Sequence, residues 1–176
     1  MENLVRIANC SGFYGDKLSA AKEMVEGGPI DVLTGDYLAE LTMAILLNQK
    51  LQRGEQAGYV GTFLKQLNDI AQVCADKKIK IVTNAGGLNP KSMAQEVKKI
   101  LDNQGVNLKI AYIDGDDLMP RIEELKQSGE KLTNIDTNEN FFEQDMPPLS
   151  ANVYLGCWGI KKALDLGADI VICPRV

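Results

Sequence analysis

Three carboxylates are the residues of this sequence best placed to do acid–base chemistry. Asp36 and Glu40 lie four residues apart, so a helix would carry both on one face. Asp16 ends a polar segment, residues 9–16, that follows an apolar run. We therefore predict Asp16, Asp36 and Glu40 as catalytic acids or bases. A structural role is the alternative for two of them, because Asp36 could cap a helix and Glu40 could favour its positive end.

A glycine turn offers backbone groups to an anion. The β-branched run 79–83 is followed by Asn84, and then by Gly86 and Gly87, which have no Cβ and let a ligand approach closely. Asn89 suits the N-cap of the next helix, whose free N–H groups attract phosphate or carboxylate. We expect these four residues to bind a ligand, with the two glycines presenting their N–H groups to solvent or ligand. A purely structural strand-to-helix turn is the alternative.

Further candidate ligand-binding residues follow the first and the last apolar runs of the chain. Asn9, Ser11 and Gly12 follow the first run. Arg175 follows the last run and could bind a carboxylate or phosphate through two parallel hydrogen bonds. These positions predict a small anionic metabolite as the ligand.

A divalent metal ion is a possible cofactor. Asp114 and Asp116 flank Gly115, and carboxylate oxygens are the ligands that hard cations prefer. The same residues are good turn and N-cap formers, which is the alternative interpretation. No dinucleotide fingerprint and no P-loop motif is present, so the sequence does not predict a nucleotide cofactor.

Composition excludes several classes of function. The sequence has no histidine, which excludes Ser-His and Cys-His nucleophiles and histidine zinc sites within this chain. Its four cysteines are widely spaced and are interpreted as small buried apolar residues. A net charge of −5 and a pI near 4.8 argue against a nucleic-acid surface. There is no apolar run long enough to cross a membrane and no signal-peptide pattern, which predicts a cytoplasmic protein.

Alternating apolar runs and helical patterns predict an α/β domain spanning residues 1–176. The predicted strands are 4–9, 30–34, 79–83, 108–113 and 169–173. The predicted helices are 17–26, 37–53, 59–77, 91–103, a short one ending near 127, and 151–166, with a patternless loop at 128–149. This alternation favours an open, mostly parallel sheet of about five strands with helices on both faces, and a partial barrel is the alternative. Asn9, Thr34, Asn84, Asp114 and Cys173 should then share one sheet edge, where ligands bind.

Five segments resemble the acyclic terpene utilisation protein A (AtuA) family. They are residues 9–16 (NCSGFYGD), 35–43 (GDYLAELTM), 80–90 (KIVTNAGGLNP), 149–156 (LSANVYLG) and 167–172 (GADIVI). The resemblance implies a role in the bacterial degradation of citronellol- and geraniol-type compounds through acyl-CoA intermediates. It also implies that the chain is the N-terminal portion of a longer architecture.

The resemblance and the residues together lead to two hypotheses of different class. The first is an enzyme domain with lyase- or hydratase-type chemistry on an acyl-CoA or small carboxylate, with Asp16, Asp36 or Glu40 as acid or base and the glycine turn stabilising an oxyanion. The second is a non-catalytic ligand-binding subunit, or a truncated domain that needs a partner polypeptide. The expected partners are a small anionic metabolite or CoA ester and either a second copy of the chain or a second polypeptide.

Overall fold

The computed structural model describes residues 4–144 and 147–176. These residues form five strands and six α-helices. The strands are β1 (Ile7–Asn9), β2 (Val32–Gly35), β3 (Lys80–Thr83), β4 (Ile110–Tyr112) and β5 (Ile170–Ile172). The helices are α1 (Ala20–Gly27), α2 (Glu40–Arg53), α3 (Gly61–Lys77), α4 (Pro90–Gln104), α5 (Ile122–Gln127) and α6 (Trp158–Asp165). Short 3-10 turns lie at Met119–Arg121 and Phe141–Glu143.

The strands pair into one open parallel sheet in the order β1-β2-β3-β5-β4. Every pairing within it is parallel, with Asn9 opposite Thr34, Thr83 opposite Ile172, and Tyr112 opposite Ile172. The sheet is not closed into a barrel, so the predicted α/β class and open parallel sheet are confirmed. The parallel register also brings the carboxyl ends of these strands, and with them Asn9, Thr34, Asn84, Asp114 and Cys173, to the same edge.

Strand order explains how the helices are distributed over the two faces. The connections from β1 to β2, β2 to β3 and β3 to β4 progress in one direction, and right-handed crossovers therefore place α1, α3 and α4 on one face. The connection from β4 back to β5 reverses direction, and its helix α6 packs on the other face against Val171 and Cys173. The larger core lies on the first face.

Helix α3 illustrates how the sequence pattern builds that core. Its buried residues Phe63, Leu67, Ile70 and Cys74 recur every three or four positions and form one apolar stripe. They pack with Leu33 and other sheet residues in the larger buried cluster. The helix predicted at residues 59–77 is therefore present, and its apolar residues at helical spacing form the face that is buried in the core.

The predicted helix at 151–166 is wrong in its first half, because α6 begins only at Trp158. The N–H of Val153 donates to the carbonyl of Asp116, and the N–H of Leu155 donates to the carbonyl of Arg175. An antiparallel bridge joins Asp117 to Asn152. Residues 151–155 therefore form an extended segment whose backbone partners lie in other parts of the chain, and Ser150 does not begin a helix.

Helices α1 and α2 both begin three residues later than predicted. In α2 the buried side chains are Thr42, Met43 and Leu46, whereas the apolar side chains of Leu41 and Ile45 are exposed. The patterns identified the helix, but tertiary packing decided which of its faces is buried.

The second face of the sheet is covered unevenly. Helix α6 packs near β5 and β4, while on the same face Ile7 of β1 is 65% exposed and its neighbour Val32 is half-buried. None of the helices formed by residues 4–144 and 147–176 has the length and apolarity needed to cross a bilayer.

Candidate functional site

A cavity of about 690 Å³ lies at the carboxyl edge of the sheet. One wall is the first two turns of α2, and the other is the segment 147–154 that precedes α6. Arg175, three residues after the end of β5, supplies the one cationic side chain that residues 4–144 and 147–176 contribute to the lining. The lining residues within the described part of the chain are Glu40, Met43, Ala44, Leu47, Pro147, Leu149, Ser150, Asn152, Tyr154 and Arg175. The cavity is therefore an apolar hollow with a guanidinium in its wall.

Arg175 is held in place by two side chains from opposite walls. It is only 9% exposed, and its Nη2 donates to Glu40 Oε1 at 2.9 Å and also to the hydroxyl of Tyr154. The guanidinium carbon lies 4.5 Å from the centre of the Tyr154 ring, which is a cation–π distance. Burial and stacking fix the position of the cation before any ligand arrives.

Glu40 is the carboxylate of the cavity that remains in contact with solvent. Its side chain is 87% exposed, and it also accepts a hydrogen bond from the Tyr154 hydroxyl at 3.3 Å. A hydrogen bond from its own backbone N–H, followed by the charge of Arg175, holds the pKa of Glu40 below its usual range. Glu40 is therefore ionised at neutral pH, when it can accept a proton but has none to donate.

A buried polar pair lies behind the Tyr154 segment. Asp116 is 4% exposed, and its Oδ2 accepts a hydrogen bond from Asn152 Nδ2 at 2.8 Å. Burial raises the pKa of Asp116, and the bonds from Asn152 and the backbone of Arg175 only partly offset that effect. The pair ties the segment that bears Tyr154 to the end of β4 and to the residue that supplies the cation.

Asp36 and Asn84 are brought together, as adjacent positions at the carboxyl edge predict, but they do not line the cavity. Asn84 Nδ2 donates to Asp36 Oδ1 at 2.6 Å, and Asn84 Oδ1 accepts from the backbone N–H of Tyr37 at 2.8 Å. These bonds join the loop after β2 to the loop after β3. The arrangement accounts structurally for both side chains, and their predicted role toward a ligand stays a prediction.

The expectation that Gly86 and Gly87 present their N–H groups to solvent or ligand is wrong. Both glycines are buried, and their N–H groups donate to the carbonyls of Cys173 and Asn84. A Cβ on Gly86 would lie 2.6 Å from the Cys173 carbonyl oxygen, and one on Gly87, where φ is +53°, would lie 2.3 Å from Leu46 Cδ1. The glycines allow close packing of the protein on itself, because main chain and a core side chain occupy the space that a Cβ would fill. Their predicted contact with a ligand stays a prediction.

Asn89 caps α4 as predicted, and its hydrogen-bonding groups are used within the chain. Its Oδ1 accepts from the N–H of Ser92 at 3.1 Å, and its Nδ2 donates to the carbonyls of Glu55 and Ala57. Asn89 thereby fastens the loop before α3 to the start of α4. Its predicted contact with a ligand remains untested.

The candidates after β1 lie in a loop with several internal hydrogen bonds, and the Ser11 carbonyl also accepts from the N–H of Asp36 after β2. Asn9 Nδ2 donates to the carbonyl of Ser11 at 2.9 Å, and Ser11 Oγ donates to the carbonyl of Phe13 at 2.8 Å. The carboxylate of Asp16 accepts hydrogen bonds from the backbone N–H groups of Gly12 and Lys17. Both bonds lower the pKa of Asp16, and the bond from Gly12 has the larger effect. None of these residues lines the cavity at Arg175.

The two predicted metal-binding residues, Asp114 and Asp116, lie in different environments. Asp114 is exposed, whereas Asp116 is buried and bonded to Asn152. Within residues 4–144 and 147–176, no three His, Cys, Asp or Glu side chains form a group that could hold a metal ion.

The cysteines are thiols at neutral pH where they are buried. Burial raises the pKa of Cys74 and of Cys173 to about 12 and also raises that of Cys10. Cys157 differs from the predicted buried position, because it is exposed immediately before α6. Cys10 lies 3.8 Å from the hydroxyl of Tyr37, which donates to Gln66 Oε1 in the buried core.

Comparison with protein families identifies the chain. A profile described as acyclic terpene utilisation family protein AtuA matches residues 5–176. The chain belongs to the AtuA family. The comparisons with curated proteins and with solved structures find no match.

Two of the segments that resemble the AtuA family supply most of the cavity. Residues 35–43 contribute Glu40 and Met43, and residues 149–156 contribute Leu149, Ser150, Asn152 and Tyr154. Sequence reasoning found Glu40 and Arg175 but did not single out Tyr154 or Asn152. It treated these two residues as part of a helix, whereas their spacing of two in an extended segment places both on the cavity wall.

The apolar wall was also missed, although a usable signal was present in this AtuA-family chain. Glu40, Met43, Ala44 and Leu47 have the spacing of one helix face, i, i+3, i+4 and i+7. This face combines one carboxylate with three apolar residues, and it lies at the start of a helix that follows a strand. That combination could have identified α2 as a wall of the cavity.

Proposed function

We propose that this AtuA-family domain takes part in the catabolism of branched or terpenoid carboxylates or their acyl-CoA esters by binding the acyl compound in the cavity at Arg175. One observation carries the proposal: an arginine whose side chain is only 10% exposed stands in the wall of an otherwise largely apolar hollow. Arginine is the side chain best suited to bind a carboxylate through two parallel hydrogen bonds. The family supplies the terpene context of the proposal.

The apolar wall suits the hydrocarbon part of such a ligand. Met43, Ala44 and Leu47 from α2 face Pro147 and Leu149 across the hollow. The volume of about 690 Å³ is within the usual range of small-molecule sites, which are mostly apolar with a few polar groups that orient the ligand. Methionine and leucine side chains adapt to branched chains at little strain.

A lyase- or hydratase-type activity is the finer proposal, with Glu40 as the base. It is supported by the ionised carboxylate of Glu40 at the mouth of the cavity, within reach of a bound ligand. Asp16 and Asp36 are weaker candidates because they lie outside the lining. The second candidate is a non-catalytic ligand-binding subunit, which is supported by the pairing of Glu40 with Arg175 and by the internal use of the glycine turn.

The predicted partners beyond a small ligand belong to this proposal as well. Association with a second copy or a second polypeptide is supported by the exposed apolar side chain of Ile7 on the open part of the sheet. A cytoplasmic location agrees with catabolism through acyl-CoA intermediates.

Calorimetric titration of branched ten-carbon acids and their CoA esters tests the proposed binding. Wild-type protein should bind at least one of them, and Arg175→Met and Ala44→Phe should each weaken binding at least about tenfold, because the first removes the cation and the second fills the hollow. Arg121→Met and Asn48→Phe are matched controls, since both are exposed and outside the lining. Binding that survives both cavity variants would contradict the proposal.

A further inference from the structure

We infer that the cavity selects the free carboxylate of an apolar acid over its CoA thioester, and that this carboxylate takes the place of Glu40 on Arg175. The inference rests on the proposed function and narrows its substrate class. On this inference, the site recognises a negatively charged carboxylate, and competition from Glu40 lowers the affinity of the site for this ligand.

Glu40 already occupies the position that a ligand carboxylate would take. Its Oε1 lies 2.9 Å from Nη2 of Arg175 at the cavity wall. The side chain of Glu40 is 87% exposed and therefore loses few contacts when it turns toward water. A carboxylate whose apolar tail fills the hollow has the additional apolar contacts that Glu40 lacks, and so it can compete for the same cation.

Arg175 has hydrogen-bonding capacity left for a ligand. Only its Nη2 donates to protein atoms among the residues that the structure describes, to Glu40 and to Tyr154. Over the same residues, no fully buried side-chain nitrogen is left without a partner, so the Nε and Nη1 groups of this lining residue are not fully buried. An arginine whose side chain is only 10% exposed, whose guanidinium is stacked on Tyr154 and whose Nε and Nη1 are not fully buried is a preformed carboxylate receptor.

The charge of the lining matches one carboxylate better than a CoA ester. Among the lining residues that the structure describes, Arg175 is the only cation and there is no lysine. A CoA thioester has a neutral carbonyl where the acid has its charge, and its several phosphates need arginine or lysine partners. When a ligand carboxylate takes the place of Glu40, Arg175 still pairs with one anion, and the displaced carboxylate of Glu40 is solvated because its side chain is 87% exposed.

Titration of three forms of one compound tests the inference: citronellic acid, its primary amide and its CoA thioester. Wild-type protein should bind the acid about tenfold or more tighter than either neutral-headed form, because a hydrogen bond between charged groups is lost in both. Glu40→Gln should tighten binding of the acid about fivefold by removing the competing carboxylate, and should leave amide binding unchanged. Glu26→Gln, near the end of α1 and outside the cavity, changes the net charge equally and should have no effect.

The outcomes separate this inference from the proposed function. If the thioester binds as tightly as the acid, or if Glu40→Gln weakens or does not change acid binding, the inference is overturned while binding in the cavity stands. If none of the three forms binds, the proposed function fails and the inference fails with it. Circular dichroism of both glutamine variants checks that they are folded.

Discussion

At the scale of single residues, Arg175 and Tyr154 act as a unit. The Tyr154 ring stacks on the guanidinium at 4.5 Å, and its hydroxyl contacts both Arg175 and Glu40. Stacking restricts the arginine side chain, so less conformational freedom is lost when a ligand binds. Tyr154 is therefore a positioning residue, which acts on the ligand through Arg175.

Substitution of Tyr154 separates its ring from its hydroxyl. Tyr154→Ala should weaken binding of an anionic ligand about two- to fivefold, as expected for loss of a surface cation–π contact. Tyr154→Phe keeps the stacked ring and should change affinity less than the alanine variant does. Calorimetric titration with citronellic acid measures both, with Tyr112→Ala on β4 as the control. Equal losses in the alanine and phenylalanine variants would show that the hydroxyl, and not the ring, matters.

The buried Asp116–Asn152 pair gives a prediction that depends on pH. Asn152→Asp would place a second carboxylate about 2.8 Å from Asp116 and should lower the free energy of unfolding by about 1 to 3 kcal/mol at pH 7. Neighbouring carboxylates raise each other's pKa above the unfolded value, so the folded state binds extra protons as the pH falls. The loss should therefore shrink between pH 7 and about pH 4.

Urea unfolding at a series of pH values measures this effect. Asn107→Asp is the control, because Asn107 is exposed and should show no such recovery in acid. A constant loss across the pH range would mean that the aspartate in place of Asn152 turns away from Asp116.

At the scale of elements, the turn from β3 to α4 is a joint between the layers of the fold. The N–H of Gly86 donates to the carbonyl of Cys173, which follows β5. Gly87 packs against the side chain of Leu46 from α2. Asn89 adds bonds to the loop before α3. The turn therefore fixes α2, and with it one wall of the cavity, against the sheet.

Gly87→Ala should lower the free energy of unfolding by about 2 to 4 kcal/mol, since it combines overpacking with a left-handed backbone conformation. The φ of Gly87 is +53°, and an added Cβ would lie 2.9 Å from the Gly58 carbonyl oxygen as well as against Leu46. Gly27→Ala is the control, because a Cβ there meets nothing within 4 Å. Chemical denaturation measures both variants, and a tolerated Gly87→Ala would contradict the packing role.

The sequence predicted elements well where local and global requirements agree. The strand before Asn84 and the helix α4 have apolar periods, a cap and a proline that all favour one structure, and both were found. Residues 151–157 have helix-compatible composition, but their backbone bonds to Asp116 and Arg175 are tertiary and were not predictable from local pattern. Similarly, Glu40 and Arg175 were each identified as candidates, yet their pairing across 135 positions depends on strand order.

At the scale of the whole molecule, the face of the sheet that α6 only partly covers has exposed apolar side chains. Ile7 lies on that face, and Trp158 at the start of α6 is 76% exposed. Contiguous exposed apolar surface often indicates an interaction site. The rest of the same face is polar or half-buried around Val32 and Thr34.

We predict that the 19.3 kDa chain self-associates at micromolar concentration through this face. Ile7→Lys should shift the equilibrium toward monomer, because a charge would be buried in the contact. Leu51→Lys is the matched control, since Leu51 is similarly exposed but lies on α2. Sedimentation velocity measures the distribution, and a wild-type monomer, or equal effects of the two variants, would contradict the prediction.

The position of β5 in the sheet has a consequence for the order in which the molecule can fold. β5 comes after β4 in sequence but lies between β3 and β4 in the sheet that the described residues form, and β3 and β4 do not pair with each other. Its contacts join residues far apart in sequence, such as Thr83 with Ile172, and such non-local pairing slows folding. During synthesis, β4 has no neighbour in the sheet until residues 170–172 emerge, and Arg175 follows them directly. The cavity is therefore completed in the same step that joins the two parts of the sheet, and a partly folded chain presents no ligand site.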